Sequence, residues 1–145
     1  MSKDKPDYND AELVWKVYDL RREAVMRQSR DAITFKFWPK TYEEFIAVTK
    51  VEHPLNAAFR QTSSYWEMVY GMANHGIVNA DYLVENNGEG LFLLAKIMPF
   101  LERFRAEGSA TAFKNAEWIA TQCPEGVKRF AMIQGRVKKM METMK

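Results

Sequence analysis

Between Leu55 and Gly76 the chain lays two stripes along one helix, one apolar and one polar. Leu55, Phe59, Thr62, Trp66, Val69 and Ala73 recur at alternating spacings of four and three, the period of a helix packed against neighbours. Asn56, Arg60, Ser63, Ser64, Glu67 and Asn74 fall along another face, and groups of that kind stay in water unless something meets them. Pro54 suits a first helical turn and Gly76 a left-handed C-terminal cap. One continuous helix over about residues 54–75 is therefore expected at the centre of the fold.

At 145 residues the chain fits one domain and can bury roughly 70% of its unfolded surface. A single cysteine, Cys123, leaves no internal disulfide. With no apolar signal sequence at the N-terminus, the reducing cytoplasm is the expected compartment. Residues 1–9 read as a polar, flexible leader. The longest apolar run, residues 91–101, contains Lys96 and Pro99 and is about half the roughly 20 residues a membrane span needs, which excludes a transmembrane segment. The net charge of +2 is too near balance to argue for nucleic acid by itself.

Punctuation divides the chain into six to seven helices with no convincing strand, an all-α, irregular single-domain bundle around the central helix. Asn9 and Glu12 suggest a capping box opening the first helix, with Leu13, Val17, Leu20 and Ala24 on one stripe and Trp15, Tyr18 and Met26 on another. Thr41 and Glu44 form a second box ahead of Phe45, Ile46 and Val48. Asn79 caps a short turn, and N-N-G-E-G at residues 86–90 breaks the chain again. A nearly all-apolar helix over residues 91–105 follows, which Pro99 should kink or restart. Another runs to Gln122, stopped by Cys123-Pro124, and the last carries Val127, Phe130, Ala131, Val137, Met141 and Met144 on one side. Residues 33–39 alternate apolar and polar briefly, and the expected form is an extended crossing that drops Phe35, Phe37 and Trp38 onto helices. With Arg30, Lys36 and Lys40 interleaved, the same aromatics could stack single-stranded nucleic acid.

Y-D-L-R-R-E at residues 18–23, F-W-P-K at 37–40, N-A-A-F-R-Q at 56–61, S-Y-W-E-M-V at 64–69, N-G-E-G-L-F at 87–92 and N-A-E-W-I-A at 115–120 resemble a set of uncharacterised bacterial helical proteins, grouped as domains of unknown function. The resemblance implies an all-helical fold and, for some relatives, a membrane anchor for which this sequence offers no apolar segment. It carries over no catalytic or binding residue.

Candidate chemistry is sparse. His53 and His75, the two histidines, would stand about 33 Å apart at 1.5 Å per residue on one helix, so no shared metal and no cofactor is expected. Cys123 reads as a partly buried thiol, since a nucleophile there would need a base brought near by folding. Glu67 beside Trp66 and Glu117 beside Trp118 are carboxylates next to large apolar surface; the structural expectation pairs Glu67 with Arg60 and Glu117 with an arginine of another helix. Asn56, Arg60, Ser64 and Glu67 are the candidate ligand-binding residues. The C-terminal segment sets Lys128, Arg129, Arg136, Lys138, Lys139 and Lys145 against Glu125 and Glu142, a basic amphipathic helix. The expected function is a non-catalytic interaction module that self-associates as a homo-oligomer. The alternatives are an enzyme or small-ligand binder with a polar pocket on the central helix, and an accessory protein that meets nucleic acid or a membrane surface through its basic C-terminus.

Overall fold

The structure, a computed structural model, describes residues 4–144. The calls on Met1, Ser2, Lys3 and Lys145 lie outside the described residues. Among those described there are eight helices and no strand: α1 (Tyr8–Arg21), α2 (Ala24–Lys36), α3 (Tyr42–Val48), α4 (Asn56–Asn74), α5 (Ala80–Asn86), α6 (Glu89–Ala106), α7 (Lys114–Gln122) and α8 (Pro124–Thr143). The count exceeds the expected six to seven because the N-terminal third breaks at Arg22 and Glu23 into two helices. Glu23 then caps α2 by accepting the Met26 amide.

Several boundaries move for local reasons. Asp7, not Asn9, caps α1, and Asp10 rather than Glu12 completes the box: each carboxylate accepts the other residue's amide, at 3.1 and 2.8 Å. Tyr8 and Asn9, expected in the leader, are already helical. Residues 33–36 are the last turn of α2, and only residues 37–40 run without regular structure. Phe37 is buried there and Trp38 half-buried, but Phe35 stays 73% exposed on the helix. α6 passes through Pro99 as one helix.

The central helix starts at Asn56, two residues later than expected, because Pro54 belongs to a preceding turn in which the Leu55 amide donates to His53 Nδ1. Its C-terminus follows expectation. Gly76 takes a φ of +74°, while the Ile77 amide reaches back to the Met72 carbonyl and the Gly76 amide to that of Ala73, the paired closure of a Schellman motif.

α4 packs against α2, α5, α6 and α7, and α8 closes the far side against α5, α6 and α7. The apolar stripe of α4 from Phe59 to Ala73 is buried, along with Leu91, Leu94 and Ile97 of α6. Leu20 of the expected α1 stripe is 53% exposed, and Val127 of the α8 stripe 46%. The buried face of α8 is instead Gly126, Phe130 and Val137. A Cβ at Gly126 would lie 2.0 Å from the Ile119 carbonyl oxygen, so only glycine lets α8 come this close to α7.

Candidate functional site

The polar stripe of α4 is largely spent on the fold. Asn56 is buried; its Nδ2 donates to the Val48 carbonyl at 2.9 Å, and its Oδ1 accepts from Arg60 Nε at 2.9 Å, tying the end of α3 to the start of α4. Arg60 is exposed, and so is Ser64, whose hydroxyl donates to the Arg60 carbonyl at 2.7 Å. Glu67 does not pair with Arg60. Its two oxygens accept the Asn115 and Ala116 amides, at 3.0 and 2.7 Å.

Those amides are donors that the first turn of α7 leaves without intrahelical partners. α7 has no side-chain cap of its own, and its N-cap Phe113 sits at a φ of +59°. A carboxylate from α4 therefore caps α7 and meets the positive end of its dipole. A groove of about 450 Å³ runs alongside, lined by Phe59, Ser63, Ser64, Glu67, Phe104 and Phe113 among others. Asn56 and Arg60 stand outside it. The four candidates thus share a helix but not a cavity.

Other charges serve helix ends in the same way. Asp81 accepts the Cys123 thiol at 3.2 Å and the Glu125 amide at 3.0 Å, at the start of α8. Burial, with Asp81 adding to it, pushes the Cys123 thiol up to about 11, which keeps it protonated and a poor nucleophile. Arg30 donates to both oxygens of Glu89 at 2.8 and 2.6 Å and to the Arg21 carbonyl at 2.9 Å, joining α1, α2 and α6. Glu117 pairs with Arg105 of α6 at 3.0 Å, as expected. Among the described residues no three His, Cys, Asp or Glu side chains converge on a metal position.

Lys96 is a functional group that the sequence reading leaves unassigned, although a lone lysine inside an apolar run signals burial. It is 2% exposed. Its Nζ donates to the Ile33 and Thr34 carbonyls at 2.9 and 3.1 Å, the C-terminal end of α2, and lies 3.9 and 4.6 Å from the ring centres of Trp38 and Phe92. Burial pulls its pKa down to about 7. It also lines an open groove of about 690 Å³ between α6 and α8.

Two helix faces set exposed apolar side chains beside charges. On α1, Tyr8, Trp15 and Tyr18 are 76%, 68% and 39% exposed. The Trp15 and Tyr18 rings meet edge to face at 6.2 Å, and the Arg21 and Arg22 guanidinium groups lie 5.0 and 5.2 Å from the Tyr18 ring centre. Trp15 and Tyr18 also rim a notch of about 350 Å³ between α1 and α5. On α8, Met132 is 54% exposed, with Arg136 and Lys139 on the same side of the helix.

Among the described residues no helix is long and apolar enough to cross a membrane. No curated protein and no solved structure matches the chain. One family model does, over residues 7–123, which is α1 through α7, and the chain belongs to that family, described as Domain of unknown function (DUF4760).

Proposed function

We propose that the protein is a non-catalytic helical interaction module that self-associates, the aromatic face of α1 in one copy meeting the outer face of α8 in another. The observation that carries this reading is the exposure of Tyr8, Trp15 and Tyr18 along one side of α1. Clustered exposed aromatics flanked by arginine are the usual anchors of protein interfaces. Charge supports a second copy as the partner: Glu12 and Asp19 flank Trp15 on the α1 face, and Arg136 and Lys139 follow Met132 along the α8 face. α1 and α8 both pack on α5, and a two-fold pairing would use each outward face twice.

The other readings have less behind them. The polar groups of α4 are mostly engaged within the fold, and on α8 both Lys128 and Arg129 pair with Glu125. Sedimentation over a concentration series tests the proposal. The parent should form a dimer that weakens with added salt, and Trp15→Asp should remain monomeric with an unchanged melt, since Trp15 is exposed. Glu12→Lys/Asp19→Lys and Arg136→Glu/Lys139→Glu should each fail to pair alone yet associate when mixed. A parent that stays monomeric into the high micromolar range would overturn the reading.

A further inference from the structure

The groove between α6 and α8 is walled by Ala95, Phe100, Val137 and Met141 and holds about 690 Å³, within the roughly 300–1,000 Å³ of small-molecule sites. Lysines outnumber carboxylates along it, Lys40, Lys96 and Lys138 to Glu142 alone. None of the three lysines has a carboxylate partner among the described residues. Lys40 donates to the Met144 carbonyl at 2.8 Å, while Lys96 is held by the α2 carbonyls. Lys138 is exposed and stands at the rim with an ammonium to offer.

An apolar trough with lysines in excess at its edge is complementary to an apolar chain that ends in an anion. We propose that this groove binds a free, single-chain fatty acid, its acyl chain along Ala95, Phe100, Val137 and Met141 and its carboxylate at Lys138 and Lys40. The trough is set by shape and apolar surface, so chain length governs affinity, and the lysines choose between head groups. The groove side of α8, with Gln134, Val137, Lys138 and Met141, is turned away from the Met132, Arg136 and Lys139 stripe. Fatty-acid binding and self-association therefore stand or fall separately.

The test is displacement of a fluorescent fatty-acid analogue from the full chain by octanoate, decanoate and dodecanoate below their micelle concentrations. Affinity should climb about fourfold for each added methylene. Methyl dodecanoate and dodecylamine should bind about three- to tenfold more weakly than dodecanoate, and Lys40→Gln/Lys138→Gln should abolish that preference. Met141→Trp should fill the trough and weaken every ligand about tenfold or more. If it does not fold, Gln134→Trp at the exposed rim takes its place. Affinity independent of chain length, equal binding of ester and acid, or a filled groove that binds like the parent would each overturn the proposal. Binding to anionic vesicles without binding to monomeric dodecanoate would also overturn it, assigning the lysines to a membrane surface instead.

Discussion

Trp66 and Lys96 are both 2% exposed, and burial has opposite consequences for them. Trp66 packs between Tyr65 and Tyr70, with ring centres 5.1 and 5.5 Å away, and a Cβ at Gly90 would come within 2.8 Å of its Cγ. Truncating a tryptophan so enclosed leaves a cavity, so Trp66→Ala should cost about 3–5 kcal/mol in denaturant melts; a loss under about 1 kcal/mol would contradict this packing. For Lys96 the effect appears as pH dependence. Its amine titrates near 10.5 when unfolded and near 7 when folded, so between those values the unfolded chain holds a proton that the folded chain lacks. Stability contributed at this site therefore rises with pH above about 7, and the penalty is full below it. The Cys123 thiol, raised from 9 to about 11, acts in the opposite sense above pH 9. The clean window is pH 7 to 9. There the stability of the parent should gain on that of Lys96→Met as pH rises, whereas parallel curves would show that Lys96 does not titrate in this range.

At the scale of elements, several helix ends here are closed by side chains from other helices. Glu67 caps α7, Asp81 caps α8, Arg30 holds the last carbonyl of α1 and Lys96 the last carbonyls of α2. This explains why the polar stripe of α4 looked like a site: a carboxylate bound for another helix's amides has the same appearance in sequence as one that meets a ligand. Glu67→Ala should cost about 1–2 kcal/mol, as the loss of an N-cap does. Glu67→Gln, which keeps one acceptor oxygen, should cost less. Amide exchange should quicken at Asn115 and Ala116 in both variants before it does so in α4. Unchanged exchange in α7 would mean that its start is held by packing alone.

At the scale of the whole molecule, α8 lies outside the matched residues 7–123 yet is built into the core. Gly126, Phe130 and Val137 are buried, and α8 covers parts of α5, α6 and α7. A chain ended at Cys123 would uncover Ile119, against which Gly126 packs, and uncovered apolar surface of that kind drives association. The truncated chain should therefore lose its cooperative melt or aggregate at concentrations the parent tolerates. A soluble fragment with a sharp transition would show that α1 to α7 stand alone.

What the sequence determined by itself was the helical class and most of its punctuation. Period and capping are local properties: the stripe from Phe59 to Ala73, the Thr41 cap, the Asn79 cap and the left-handed Gly76 depend on residues within a turn or two of one another. Errors came where two local signals competed, as at residues 33–36, where strand-like alternation lost to the end of α2. The tertiary structure decided the partners. That Glu67 faces Asn115 and not Arg60, that Lys96 reaches α2, and that α6 and α8 leave a groove between them all depend on residues 25 or more positions apart being brought together. Such pairings follow from how whole helices pack, because a side chain's neighbours across a helix interface are set by the crossing of two axes and not by its own position in the chain.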